Sequence, residues 1–88
     1  MSPTRKQAAV LRYVRGYQEA HGFTPSIREI GAGIGNRSLG AVYALVKECQ
    51  TKRMIRRLVK RSRAIELSVE VSIPRAPDGT PLYFVAVK

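Results

Sequence analysis

The chain has 88 residues, a single cysteine and a formal net charge of +10. A chain of this length forms one small core, with room for a short appendage, and one cysteine cannot form an internal disulfide. So large an excess of basic residues favours a nucleic acid or another anionic partner. No apolar run is long enough to cross a membrane and no signal peptide is recognisable, so we expect a cytoplasmic protein without membrane association.

The first predicted helix runs from about Arg5 to His21. Thr4 and Gln7 have the spacing of a capping box at its start, and Gly22 is a suitable end. Its apolar residues recur at helical spacing. They are Val10, Leu11, Val14 and Tyr17, with Tyr13 beside them. We expect Phe23, which follows the helix, to pack back into the core.

Residues 24–38 have the pattern of a helix-turn-helix. Ser26 and Glu29 have the spacing of a second capping box at the start of a short helix. That helix is expected to end at Gly35-Asn36, because both residues tolerate positive φ. Its apolar stripe consists of Ile27, Ile30 and Ile34. Ser38 then caps a third helix after a gap so short that the two helices must cross steeply. An ordinary helical hairpin is the alternative interpretation.

The third predicted helix runs from about Leu39 to Arg53 and has two distinct faces. The face predicted to be buried carries Val42, Leu45, Val46 and Cys49. Cys49 is therefore expected to be a small core residue and not a reactive thiol. The opposite face carries Gly40, Ala41, Tyr43, Ala44 and Lys47, of which three are small and one is a large amphipathic ring.

After Met54-Ile55 the pattern becomes that of extended chain. Residues 56–59 form a possible strand, residues 60–63 a basic turn, and residues from Ala64 to Ile73 alternate strictly between apolar and polar. Three helices followed by a hairpin with a basic tip predict a winged helix-turn-helix, an α+β fold, over residues 1–67.

The last part of the chain, residues 68–88, is expected to add a C-terminal β-hairpin. Its first strand would be the end of the alternating segment, Val69–Ile73. Pro77-Asp78-Gly79 has turn chemistry, and Leu82–Val87 would form the second strand. That last strand is apolar on both faces, so one face lacks an obvious partner within so small a domain.

Basic residues are concentrated at the end of the third helix and in the wing, the two elements that a winged helix presents to DNA. A solvated surface is the alternative, and it explains many charge runs. Together with the helix-turn-helix, this density predicts contacts to DNA phosphates, which supply affinity and register but no choice of sequence. The predicted phosphate contacts are Ser26, Arg28, Arg37, Lys47, Lys52, Lys60, Arg61 and Arg63.

Catalysis is poorly supported by the residues present. His21 is the only histidine, and the six acidic residues form no cluster with metal-ligand spacing. No nucleophile stands near a base, so we predict that the protein is not an enzyme. No catalytic residue, metal, cofactor or small-molecule ligand is expected.

The segment from about Ser2 to Leu67 resembles the N-terminal DNA-binding domain of the LexA family of SOS repressors. The resemblance rests on the order and spacing of several short matches. These are Thr4-Arg5, Gln7, Val10-Leu11, Gly22, Pro25, Glu29-Ile30, Ile34-Gly35, Arg37-Ser38, Ala41, Lys52, Ile55 and Ser62-Arg63-Ala64-Ile65. It implies a winged helix-turn-helix that binds operator DNA as a dimer and represses transcription.

The resemblance also implies that the first turns of the third helix read bases. The base-reading positions are Ser38, Gly40, Ala41, Tyr43 and Ala44. Ser38 and Ala41 keep the residue types of the family, whereas Gly40 stands where the family often has Asn. Tyr43 and Ala44 stand where the family often has acids, so we expect an operator different from the usual SOS box. Packing of the Tyr43 ring on a neighbouring helix is the alternative role for that residue.

The family's C-terminal protease domain has no counterpart in these 88 residues, so self-cleavage is not expected. A homodimer or partner contact is instead predicted in the C-terminal hairpin. Its candidate residues are Val69, Val71, Ile73, Tyr83, Phe84 and Val85. The leading hypothesis is a transcriptional repressor that binds specific sequences of double-stranded DNA, and its compact form would suit a phage or mobile-element regulator. The alternatives are a protein-interaction adaptor that docks through this hairpin and, less favoured, an RNA-binding protein.

Overall fold

A computed structural model describes residues 3–57, 65–73 and 75–79. These residues form three helices and a two-stranded antiparallel sheet, which confirms the predicted winged helix-turn-helix architecture. In chain order the elements are α1 (Arg5–His21), α2 (Ile27–Ile34), α3 (Leu39–Thr51), β1 (Ile55–Arg57) and β2 (Ile65–Leu67). None of these helices is both long and apolar enough to span a membrane.

The predicted caps fix where α1 and α2 begin. The Thr4 hydroxyl accepts the Gln7 amide at 3.2 Å, while the Gln7 side chain accepts the Thr4 amide at 3.0 Å. Ser26 and Glu29 repeat this arrangement at 3.2 and 2.8 Å. Both capping boxes are therefore confirmed, and each satisfies two amides that the first turn of a helix leaves unpaired.

The core lies between the three helices, each of which packs against the other two, and the sheet closes one side. The predicted stripes of α1 and α3 are buried, and so are Ile30 and Ile34 of α2. Ile27 is only partly buried and packs against the edge of the core. The side chains that lose all contact with solvent include Val10, Val14, Ile30, Val42, Val46 and Cys49. Close packing of these side chains, most of which are β-branched, fixes the angle at which α2 and α3 cross. That angle determines which face of α3 is exposed to solvent.

The two strands pair in a register that explains their length. Ile55 lies opposite Leu67, Arg56 opposite Glu66, and Arg57 opposite Ile65. Ile55 is the first residue after the turn that follows α3, so β1 ends its pairing with β2 at Leu67. Among the described residues, one further bond runs from the Ser68 amide to the Met54 carbonyl.

The predicted long strand from Ala64 to Ile73 is therefore wrong beyond Leu67. Residues 68–73 carry no regular strand. Alternation produces a strand only where a ladder is completed, and β1 begins too late in the chain to pair with them. Val71 packs against the core, whereas Val69 is 42% exposed. The expected second strand of the C-terminal hairpin, Leu82–Val87, lies outside the described residues, as do residues 58–64 of the wing.

The prediction for Phe23 is also wrong, because its side chain is 46% exposed. Its ring meets the edge of Tyr17 with 5.8 Å between centroids. The next two residues, Thr24 and Pro25, occupy the buried positions at this corner. Phe23 therefore covers the end of α1 from the outside.

The turn predicted around Pro77-Asp78-Gly79 is confirmed. The Gly79 amide donates to the Ala76 carbonyl at 2.9 Å, and Gly79 has a φ of 91°, which glycine adopts without strain. Just before this turn, Arg75 donates to both carboxylate oxygens of Glu19 on α1, at 2.8 and 2.9 Å. Arg75 also donates to the Gly79 carbonyl at 3.3 Å, so its side chain connects this turn to α1.

Candidate nucleic-acid interface

All the residues predicted to read bases are exposed at the start of α3. The buried residues of α3 occupy one half of the helix surface, and the helical period places Gly40, Tyr43, Ala44 and Lys47 on the other half. Ser38 and Ala41 lie beside them at the N-terminal end. The structure thus brings the predicted residues together on one uncovered helix face.

Ser38 serves as the N-cap of α3 and keeps part of its hydrogen-bonding capacity. Its hydroxyl oxygen accepts the Ala41 amide at 3.2 Å, and its own amide donates to the Asn36 side chain at 3.0 Å. A serine hydroxyl that accepts one bond still has its hydrogen to donate. Ser38 can therefore cap the helix and donate to a ligand at the same time.

Gly40 opens the surface of α3. A Cβ atom added to Gly40 would have only the Ser38 hydroxyl within 4 Å, at 3.9 Å. A Cβ atom therefore fits at this position without displacing a neighbour. The glycine is not required by packing, and it lets the helix backbone approach a ligand closely.

Tyr43 projects from the same face and is 45% exposed. Its ring contacts the wing strand: the guanidinium carbon of Arg57 on β1 lies 4.9 Å from the ring centroid. The alternative prediction had this ring packing on a neighbouring helix. The contact with β1 leaves much of the ring open to a ligand.

Seven of the eight predicted phosphate contacts fall into three groups. Arg28, Arg37 and Lys47 are exposed around the helix-turn-helix. Ser26 is half-buried, and its hydroxyl accepts the Glu29 amide. Lys60, Arg61 and Arg63 of the wing lie outside the described residues.

Lys52 differs from the other basic residues because the fold already engages its ammonium group. Lys52 is half-buried and donates to the Gln7 side-chain oxygen at 2.6 Å, and the amide nitrogen of Gln7 donates to Glu48 at 2.6 Å. This network joins the start of α1 to the end of α3. We therefore expect Lys52 to contribute less to phosphate binding than an exposed lysine.

Cys49 is fully buried, as predicted, and its thiol lies 3.9 Å from the Gln7 carbonyl. The pKa of the Cys49 thiol is raised to about 11, chiefly by burial and to a lesser extent by the Glu48 carboxylate, while Lys52 partly opposes the shift. A thiol with so high a pKa is a poor nucleophile at neutral pH. Over the described ranges, no three His, Cys, Asp or Glu side chains are grouped so as to hold a metal ion.

The candidate dimer contacts are only partly described. Val69 is exposed, Ile73 is half-buried, and Val71 is engaged with the protein's own core. Tyr83, Phe84 and Val85 lie outside the described residues. Of the three described candidates, Val69 offers the most surface to a partner.

Comparison with known proteins identifies the family to which this domain belongs. The family model described as the LexA DNA binding domain matches residues 1–64. The chain belongs to the LexA DNA-binding domain family. This match covers the three helices and β1, so the uncovered face of α3 lies inside the family domain.

Relatives in several bacteria agree with this assignment. The chain is 36% identical to the LexA repressor of Bacillus subtilis over 74 residues, which are 83% of this chain and 36% of the relative. It is 39% identical to that of Pelotomaculum thermopropionicum over 93% of this chain and 46% of the relative. It is 43% identical to that of Moorella thermoacetica over 68% of this chain and 29% of the relative. The chain therefore spans less than half the length of these relatives.

The family is that of a DNA-binding domain, and nothing in these comparisons supports the adaptor alternative. The contact between Arg57 and Tyr43 is a feature of the site that sequence reasoning missed. The signal was present, since Arg57 stands two residues after the buried Ile55 in an extended segment and so shares its face.

Proposed function

We propose that this chain binds specific sequences of double-stranded DNA and represses transcription by occupying promoter DNA. The observation that carries the proposal is the uncovered face of α3 within a LexA-type domain. That face is free of buried contacts, begins at a capped N-terminus, and belongs to a molecule with a formal charge of +10. These are the properties of a recognition helix that enters the major groove.

Each group of residues has a separate task. Arg28, Arg37 and Lys47 contact phosphates beside the groove and fix the position of the domain on the duplex. The wing adds Lys60, Arg61 and Arg63. Ser26 contributes its hydroxyl near the start of α2.

Base choice rests on the face of α3. Gly40, Ala41 and Ala44 add little bulk, so the helix backbone comes close to the base edges. Ser38 donates through its hydroxyl, and Tyr43 offers an apolar ring to a thymine methyl group. Since this face carries neither an amide nor a carboxylate side chain at Gly40, Tyr43 or Ala44, the preferred operator differs from that of relatives that have them.

A dimer would make this recognition selective enough for regulation. One winged helix reads few base pairs, and each correct pair adds only about 1–3 kcal/mol of discrimination. A symmetric pair of domains on two half-sites doubles the number of pairs that are read. We place the contact in the C-terminal part of the chain, with Val69 as its described residue, and we place the protein in the bacterial cytoplasm with the DNA.

Selection of duplexes from a random library by the full chain tests this function. The expected result is an enriched motif with a palindromic arrangement of half-sites. Enrichment without a palindrome would remove the dimer from the proposal but keep sequence-specific binding. Failure to bind any duplex at low salt would reject the DNA-binding function and favour the adaptor.

A pair of variants gives the selection a matched control. Gly40→Asn places an amide on the exposed face of α3, where the added Cβ meets no close neighbour, so it should change the selected motif and preserve folding. Gln50→Asn makes a polar change on an exposed position in the last turn of the same helix and should leave the motif unchanged. An unchanged motif in Gly40→Asn would show that this face does not read bases.

A further inference from the structure

The wing strand β1 directs two consecutive arginines to opposite sides. Side chains alternate along a strand, so Arg57 shares a face with the buried Ile55, while Arg56 points the other way. Arg57 is half-buried, and Arg56 is exposed. The inward face of β1 packs against α3, so Arg57 lies over the recognition helix.

The two arginines find different partners because of this alternation. The Arg56 guanidinium pairs at 2.5 Å with Glu66, which lies directly opposite it on β2. The Arg57 guanidinium lies over the Tyr43 ring at 4.9 Å from its centroid. This distance is within the range of a cation–π contact, and a planar guanidinium can also stack on the ring.

The contact with Arg57 restricts an otherwise mobile side chain. A tyrosine on a helix surface has two common χ1 rotamers, which point its ring in different directions. Tyr43 is 45% exposed, so the core encloses its ring only in part and the Arg57 contact adds a restraint on its direction. A cation over one face of the ring favours a single direction before any ligand arrives, and such pre-organisation lowers the entropic cost of binding.

We propose that Arg57 is a specificity-determining residue that positions Tyr43 for base reading. Arg57 holds the ring against the wing, so that its free edge is presented to the groove in one orientation. This inference rests on the proposed function of α3. It adds a residue from the wing to the recognition surface and makes the wing part of sequence choice, beyond its contribution of charge.

The first test examines the contact in the full chain without DNA. The side-chain protons of Arg57, followed by NMR, should be shifted upfield by the ring current of Tyr43. Tyr43→Leu should remove that shift, while Phe23→Leu, which removes an exposed ring beside the end of α1, should leave it in place. An Arg57 spectrum that does not change in Tyr43→Leu would overturn the proposal.

The second test measures discrimination between the selected duplex and a duplex changed at one base pair. The pair is the one at which Tyr43→Ala loses its preference. Arg57→Met should lower this discrimination by about 2- to 5-fold, as expected for an exposed cation–π contact. It should cause no further loss in a Tyr43→Ala background, because the two residues act as one unit.

Arg56→Met is the matched control, since it removes the same charge from the neighbouring position without touching Tyr43. It should weaken all duplexes to a similar extent and leave discrimination unchanged. If Arg57→Met behaves like Arg56→Met, Arg57 acts only through its charge and the proposal is wrong, although the DNA-binding function stands. If the unmodified chain shows no discrimination at all, the proposed function itself fails.

Discussion

Arg53 occupies a backbone conformation that ordinarily belongs to glycine. Its φ is 60°, and it follows the last turn of α3. The Arg53 amide donates to the Gln50 carbonyl and the Met54 amide to the Cys49 carbonyl, both at 2.9 Å. These two bonds form a Schellman motif with Arg53 at the position where glycine is most common.

Replacing Arg53 with glycine should therefore stabilise the protein. The left-handed conformation costs a side-chain-bearing residue about 1–2 kcal/mol, and the greater freedom of glycine in the unfolded chain offsets part of that gain. We expect Arg53→Gly to raise the free energy of unfolding by about 0.5–1 kcal/mol in urea titrations. Gln50→Gly, inside the last turn of α3, should lower it by about 1 kcal/mol. A loss of stability in Arg53→Gly would show that the arginine side chain stabilises this turn.

Cys49 offers a measurement of core integrity. Its pKa of about 11 lies well above the ordinary value of 9.0, because burial disfavours the thiolate. At pH 8 the native thiol should react with an aromatic disulfide reagent about 100-fold more slowly than the thiol of the urea-unfolded chain. The raised pKa also means that this thiol supports the folded state below pH 9 and ceases to do so as pH rises from about 9 to about 11. Equal rates in the two states would contradict the buried position.

At the scale of elements, local signals in the sequence were enough to place the three helices. Thr4 with Gln7 and Ser26 with Glu29 define helix starts by short-range hydrogen bonds, which a sequence displays directly. The end of α3 was misplaced by two residues because Arg53 gives no sign of a left-handed turn. The end of β2 depends on where β1 begins, which is a tertiary fact that the alternation from Ile65 to Ile73 does not contain.

The packing of α1 on α2 depends on a close approach between Tyr13 and Gly33, which the amino-acid sequence alone does not reveal. A Cβ atom added to Gly33 would lie 2.0 Å from the Cε1 atom of Tyr13, so the tyrosine ring occupies the space of the missing side chain. We expect Gly33→Ala to lower the free energy of unfolding by at least about 2 kcal/mol, because the buried ring must move. Urea titration of the full chain measures this change.

Gly40→Ala is the control for that experiment. Both substitutions add one methyl group to a helical glycine, but the space around Gly40 is open. This variant should gain about 0.5–1 kcal/mol from the lower entropy cost of alanine in a helix. If Gly33→Ala were as stable as Gly40→Ala, the contact between α1 and α2 would be looser than the Tyr13 position indicates.

At the scale of the whole molecule, charge and fold act on the same surface. The formal charge of +10 attracts any polyanion, but the exposed cations that flank α3 decide how many phosphates are neutralised. Six proposed contacts are exposed or belong to the wing. They are Arg28, Arg37, Lys47, Lys60, Arg61 and Arg63. Lys52 is separate from them, since its ammonium group joins α3 to Gln7.

The salt dependence of binding to random duplex DNA measures how many phosphates these residues neutralise. Six contacts predict a slope of about −5 in a plot of log affinity against log salt, or a loss of roughly 10³ between about 50 and about 200 mM. Lys47→Met should make the slope shallower by about 0.9, while Lys52→Met should change it much less, because the fold already engages that ammonium group. Melting curves of both variants check that the fold is retained. An equal change of slope in the two variants would mean that Lys52 leaves Gln7 to neutralise a phosphate, and DNA binding would then compete with the network that joins α1 to α3.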